Sequence, residues 1–238
     1  MTISYSSMSM PADDSAFQFT SGGRVQTADI QTLEELANST TECISCPLYQ
    51  NATQTVFGDG PADAEIMLVG EQPGEQEDTA GIPCVGPAGR LLDRALEMAG
   101  LDRREIYLTN AVKHFKFKQR ATRKVLQTPS AGEVQACYAW LAAEIRLIQP
   151  LVIVCLGATA TRAILRRRVT LKELGNTSVI GPHGGRIFST YHPAAILRIP
   201  NQQKSAVALG SLVRTLTSAR ASTAHIRPSY DYREHPNA

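Results

Sequence analysis

Cys43-Ile-Ser-Cys46 sets two thiols three residues apart, a spacing at which two thiolates share one metal ion or one cluster. A redox dithiol is the other use of such a pair. One pair does not complete a ligand set, so further soft donors are needed. Cys137, early in a helix that starts near Ser130, and His114, just beyond a strand, are the candidates. A Cys-Cys-His-Cys set binds zinc or an iron–sulfur cluster, and spacing alone does not separate the two.

The second constellation is basic. Lys113-His-Phe-Lys-Phe-Lys-Gln-Arg-Ala-Thr-Arg-Lys124 carries six cations and no acid. Lys113, Lys116, Lys118, Arg120, Arg123 and Lys124 suit phosphates, and Phe115 and Phe117 between them offer faces on which unstacked bases lie. Arg166-Arg167-Arg168 is a second basic cluster. The third constellation is Gly70-Glu-Gln-Pro-Gly-Glu-Gln-Glu-Asp78, where two glycines let backbone N–H groups approach a ligand, with Glu71, Glu75, Glu77 and Asp78 alongside. It is neither G-x-G-x-x-G nor a G-K-[ST] phosphate loop, so nucleotide-cofactor folds lose support. The same acids also suit a helix N-terminus, where the macrodipole favours them.

These groups need a scaffold, and alternating strands and helices supply it. Glu65–Gly70, Glu105–Thr109, Leu151–Gly157 and Arg186–Tyr191 read as four strands, the first and third as short apolar runs closed by glycine. Helices are expected over Arg90–Ala99, with Gly100 as the stop, from Ser130 towards Ile148, over Thr159–Leu165 and over Gln203–Leu216. Ser130 and Glu133 have capping-box spacing. The fold class is therefore α/β, a three-layer αβα sandwich around a central four-stranded parallel sheet. In such sheets ligands bind beyond the carboxyl ends of the strands, here Gly70–Asp78, Asn110–Phe117, Gly157 and His192-Pro193. Cys155, inside the third strand, reads as a core residue.

Composition narrows the class further. With 24 Lys+Arg against 22 Asp+Glu and 43% apolar residues, the 238-residue chain is too apolar and too balanced for wholesale disorder. No run approaches the roughly 18 apolar residues of a membrane span. Residues 1–36 are expected to be an N-terminal extension, 37–218 the domain, and 219–238 a polar tail. The extension has no basic and apolar signal pattern, so the cytoplasm, where thiols stay reduced, is the expected compartment and a monomer the expected state.

In their order, Cys43-x-x-Cys46, Gly70-Glu-Gln-Pro-Gly-Glu-Gln-Glu-Asp78, Gly86-Pro-Ala-Gly89, Thr109-Asn110 and His192-Pro193 resemble the uracil-DNA glycosylase superfamily. The resemblance covers roughly Thr41 to Leu216 and is closest to the iron–sulfur branches, family 4 and the X-type enzymes. Asn110-Ala-Val-Lys-His-Phe-Lys-Phe117 and Thr128-Pro-Ser130 point to the X-type, since family 4 usually carries Cys where this chain has His114. The resemblance implies a [4Fe-4S] cluster held by Cys43, Cys46, His114 and Cys137. It implies that Asn110 bonds the polar edge of a flipped uracil and that His192 steadies the charge on the departing base. Gly70 and Gln72 then belong to the substrate loop, Gln72 standing where the best-known glycosylases have a water-activating Asp, and Glu71 is the nearest carboxylate able to orient water.

Two residues depart from the pattern. Leu126 occupies the place of the X-type histidine that bonds covalently to the sugar, and leucine has no nucleophilic atom. Cys84 stands where the family has a Phe that stacks on uracil, a loss of about 1–3 kcal/mol of stacking or an opening for a different base. The expected function is hydrolysis of the N-glycosidic bond of uracil in single- or double-stranded DNA by base flipping, without lasting covalent capture. The alternative is a degenerate X-type homologue that binds uracil-containing or single-stranded DNA without excision. A third reading, an iron–sulfur redox protein, leaves the basic loop and the paired motifs unexplained.

Overall fold

The computed structural model describes residues 27–167 and 177–226. The extension up to Gln26, the tail from Arg227 and Arg168 of the triple-arginine cluster lie outside them. Strands β1 (Ile66–Gly70), β2 (Ile106–Asn110), β5 (Val152–Leu156) and β7 (Arg186–Thr190) pair in parallel in the order β2-β1-β5-β7. These are the four strands expected. The two-residue β6 (Val179–Ile180) adds a fifth, antiparallel edge strand beside β7. A further pair, β3 (Phe117–Arg120) and β4 (Arg123–Leu126), forms an antiparallel hairpin where only a basic loop was expected.

The pleat sorts the apolar runs onto two faces. Ile66, Leu68, Val152, Val154 and Phe188 pack against helices α3 (Pro87–Ala99), α6 (Pro193–Leu197) and α7 (Gln202–Ile226). Met67, Val69, Ile153, Cys155 and Ile187 face α4 (Ala131–Ile148) and α5 (Ala158–Leu165). Cys155 is fully buried, and burial pushes its thiol far up, as suits a core residue. A third cluster joins α1 (Leu33–Thr40) to α4 through Leu36, Leu48, Val112 and Trp140. The short α2 (Glu75–Ala80) follows the β1 loop.

Helix ends follow local chemistry. Ser130 Oγ accepts the Glu133 N–H at 3.2 Å while the Glu133 carboxylate accepts the Ser130 N–H at 2.6 Å, the capping box its spacing implied. Thr32 and Glu35 make the same box on α1, so that helix straddles the expected boundary at residue 36. Helix α3 starts at Pro87, where the missing N–H costs nothing, and ends at Gly100 with φ +70°. Helix α7 runs past Leu216 to Ile226, with Ala219 fully buried against the sheet's helical layer. No helix among the described residues is long and apolar enough to cross a membrane.

Candidate active site and thiol pocket

A cavity of about 400 Å³ opens at the carboxyl ends of the strands. Gln72, Cys84, Asn110, Leu126 and His192 all line it, although they come from five separate segments of the chain. Its rim is completed by Gly74–Glu77 from the β1 loop and by Leu197 and Arg198 at the end of α6. Leu197 and Arg198 were not singled out from the sequence, whereas Gly74–Glu77 belong to the acidic loop that was. The His-Pro that opens a helix after β7 was the available signal for Leu197 and Arg198.

Asn110 ends β2 directly beside Gly70, its register partner at the end of β1. A Cβ on Gly70 would overlap Asn110 Oδ1, so only glycine leaves the carboxamide its place. Asn110 is 4% exposed, and its carboxamide has no hydrogen-bond partner among the described residues. His192 caps α6, its Nδ1 accepting the Ala194 N–H at 3.1 Å. A neutral ring held that way carries its proton on Nε2. Burial, with a smaller push from Arg198, lowers the imidazole pKa to about 4, so the ring is neutral at physiological pH.

The carboxylates of the β1 loop divide by partner. Glu77 accepts N–H bonds from Gly74 at 3.1 Å and Gly86 at 2.7 Å and so closes the loop on α3. Asp78 is fully buried and accepts both the Thr53 N–H (2.9 Å) and the Thr53 hydroxyl (2.7 Å). Glu71 does not line the cavity. Its Oε2 accepts the Thr159 hydroxyl at 2.5 Å, so one of its two oxygens is already bonded. Gln72 does line the cavity, but its amide is committed: Nε2 donates to Gln127 O (2.9 Å) and Lys116 O (3.3 Å), and Oε1 accepts the Lys116 N–H (3.0 Å). It clamps both ends of the β3–β4 hairpin.

Cys84 sits in the left-handed region at φ +59°. Arg103 holds this turn, donating to Cys84 O (3.3 Å) and Pro83 O (3.2 Å), and is itself fixed by Asp93 at 2.5 Å. Burial pushes the Cys84 thiol up to about 12, so it is protonated and a poor nucleophile. Leu126 forms a wall of the cavity at the end of β4.

The basic segment splits into different roles. Lys118, Arg120 and Arg123 are exposed on the hairpin. Lys116 pairs with Glu133 at 2.8 Å, and Lys124 lies 4.7 Å above the Phe117 ring and 3.8 Å from Asp78. Lys113 is not a DNA contact as expected: it is fully buried, 2.5 Å from the equally buried Glu144. Phe115 is 2% exposed and stacks on Phe117 with ring centroids 5.0 Å apart, so it has no face free for a base. Glu144 was missed, yet it carried a signal. It sits among Leu141, Ile145 and Ile148, on the apolar stripe of α4, where a carboxylate must find buried partners.

Cys43, Cys46 and Cys137 share the α1–α4 core, at 7%, 8% and 3% exposure. The Trp140 indole N–H donates to Cys43 Sγ at 3.1 Å and the Lys113 N–H to Cys137 Sγ at 3.2 Å. Burial raises Cys46 and carries Cys137 up to about 12, and in each the neighbouring thiols add to the rise. A bound metal reverses that penalty by taking the thiolates as ligands. His114 Nδ1 is buried with no hydrogen-bond partner among the described residues, and burial keeps the ring neutral, the form that ligates a metal. No three His, Cys, Asp or Glu side chains among the described residues converge on one metal ion. A cluster asks for something else, one donor on each of several irons. Three buried thiols, two of them receiving N–H bonds, and an unpartnered imidazole nitrogen fit that demand.

The family model of the uracil DNA glycosylase superfamily matches residues 57–216. The chain is 36% identical to a Type-4 uracil-DNA glycosylase of Thermotoga maritima over 169 residues, 71% of this chain and 84% of that protein. It is 36% identical to the Type-4 uracil-DNA glycosylase of Sulfurisphaera tokodaii over 74% of this chain and 80% of that one. A Type-5 uracil-DNA glycosylase of Pyrobaculum aerophilum is 33% identical over a shorter stretch, 41% of this chain and 40% of that protein.

Proposed function

Since the chain belongs to the uracil-DNA glycosylase superfamily, we propose that it hydrolyses the N-glycosidic bond between uracil and deoxyribose in DNA, after the nucleotide has swung out of the stack into the 400 Å³ cavity. One observation carries the reading: an unpartnered carboxamide, Asn110, and a neutral imidazole with its proton on Nε2, His192, face the same cavity. Bond cleavage leaves the electron pair on the base. The His192 Nε2–H donates to the oxygen on which that charge gathers, a donor already in place before the charge develops. The Asn110 carboxamide, with one acceptor and two donor protons, bonds the carbonyl and imide edge of uracil. Water takes the sugar carbon left electrophilic, and its proton passes to solvent. Glu71, whose Oε2 is bonded to the Thr159 hydroxyl, keeps a second oxygen for orienting that water.

Cys43, Cys46, His114 and Cys137 would hold a [4Fe-4S] cluster, which when bound supplies one-electron chemistry and a cross-link between the N-terminal segment and α4. The exposed cations of the hairpin, Lys118, Arg120 and Arg123, extend from the cavity wall at Leu126 and suit the DNA backbone. Replacing all three by Ser is expected to weaken binding to any DNA sequence. The log–log salt slope of binding, measured by fluorescence titration, is expected to flatten by about 1 for each phosphate no longer neutralised. An unchanged slope would move the DNA track elsewhere.

The reading is tested by incubating the protein with uracil-containing single- and double-stranded oligonucleotides, followed by alkali. Cleavage at the uracil position is expected, and on a denaturing gel without alkali no protein–DNA adduct, because Leu126 and the protonated Cys84 offer no nucleophile. Strands that stay intact at protein excess would overturn excision. Cys84, which gives the cavity a small side chain, favours a second reading, binding without excision. Uracil-preferring gel shifts with intact strands would establish that one.

A further inference from the structure

Beneath the carboxamide of Asn110 lies a polar network that the chemistry above does not use. The Lys113 ammonium is fully buried and has three donor protons. All three are taken: Glu144 Oε2 at 2.5 Å, Thr109 Oγ1 at 2.6 Å and the backbone oxygen of Asn110 at 3.1 Å. The Glu144 carboxylate is as fully matched. Besides Lys113 it accepts the Thr109 hydroxyl (2.9 Å), the Tyr107 hydroxyl (3.1 Å) and the Gly58 N–H (3.2 Å). Glu144 pushes the Tyr107 phenol far up, second to burial itself, so that hydroxyl remains a donor. Two unlike charges are thus buried at the end of β2, where an apolar pair would fill the same space at no desolvation cost.

The placement of these bonds says what the pair does. Lys113 grips the residue that carries the carboxamide and the residue before it. Through its backbone N–H it also reaches Cys137 Sγ at 3.2 Å. A carboxamide can read a base edge only if its backbone anchor does not drift, and a shift of about 1 Å in such a group costs up to about 100-fold. We propose that Lys113, neutralised by Glu144, is a positioning residue for uracil recognition: it locks the peptide of Asn110 and ties it to the thiol pocket at Cys137. This rests on the assignment of Asn110 to the base.

The test separates charge burial from positioning. Lys113→Met alone leaves Glu144 buried and unpaired, and it is expected to lower the melting temperature. Lys113→Met combined with Glu144→Gln removes both charges and keeps acceptors for Tyr107, Thr109 and Gly58. This double variant is expected to melt near the wild type and to keep the visible absorbance of the thiol pocket. Its kcat/KM on a uracil oligonucleotide and its calorimetric affinity for free uracil are expected to fall together, by about 10- to 100-fold. A folded double variant that binds uracil as tightly as the wild type would overturn the proposal. Should the double variant not fold, Thr109→Val cuts one of the same links, and unchanged uracil affinity in it has the same force. A wild type that binds uracil without excising it overturns the glycosylase reading alone, while the affinities still decide the role of Lys113. A wild type that does neither overturns both.

Discussion

A His192→Leu variant is expected to excise uracil about 100- to 1000-fold more slowly than the wild type in kcat, the cost of removing one preorganised donor from a developing oxyanion. Leucine fills a similar volume, so the cavity wall formed with Cys84 and Leu197 stays closed and the loss is chemical. Single-turnover rates isolate the step. A variant within a few-fold of the wild type would remove His192 from the reaction.

The pH profile of the wild type adds an independent check. The imidazole pKa lies at about 4, below its ordinary 6.5, because burial and Arg198 both disfavour the cation. Protonation puts hydrogen on Nδ1, which now faces the Ala194 N–H rather than accepting from it. Activity dependent on His192 is therefore expected to be flat through neutrality and to fall only as pH drops towards 4. For stability the sign is the same. Between about 4 and 6.5 the unfolded chain binds the proton that the folded ring refuses, so the contribution of His192 to stability rises with pH across that window. Denaturant titrations at several pH values measure the slope.

The second large effect is expected at Cys137. Cys137→Ala is expected to lower iron from about four atoms per chain to near none and to bleach the visible absorbance. In the proposed set Cys137 is the ligand from α4, which meets the other segments through the core around Trp140 and through the Lys113–Glu144 and Lys116–Glu133 pairs. Losing the cross-link is expected to lower the melting temperature by about 10 °C, several kcal/mol at about 2–4 °C each in a chain of this size. Iron unchanged in the variant would refute the ligand set. Zinc in place of iron in the wild type would replace the cluster with a single ion.

Much of this frame is legible in the chain because its causes are local. The apolar runs of β1 and β5 are buried on both faces and can hardly be anything but parallel strands. Ser130 with Glu133, and Gly100 after Ala99, mark helix ends within a few residues of the groups they satisfy. Part of the cavity was legible too, since Gln72, Asn110 and His192 each follow or adjoin a strand end, while Cys84, in the turn between α2 and α3, was placed by the resemblance. What was not legible depends on partners far away. Lys113 opens a run of cations that otherwise reach solvent, and the carboxylate that takes it into the core, Glu144, lies 31 residues on. Glu71 is partnered by a hydroxyl 88 residues away, on Thr159, which nothing near it in the chain announces. The hairpin has no alternating apolar pattern to betray it, because Lys118, Arg120 and Arg123 keep both strands largely in solvent.

The clamp made by Gln72 gives that hairpin a property of its own. One carboxamide grips the chain at Lys116 as it leaves the cavity and at Gln127 as it returns, next to the Phe117–Leu126 pair that begins the ladder. Beyond that pair Lys124 still reaches back to Asp78 at 3.8 Å, while Lys118, Arg120 and Arg123 stand in solvent. Its exposed tip at Ala121-Thr122 lies at the far end of the ladder from the wall at Leu126, so changes there are expected to leave that wall in place. On the proposed reading the hairpin is thus an interchangeable part: a lineage could recharge its tip while the cavity wall at Leu126 is inherited intact.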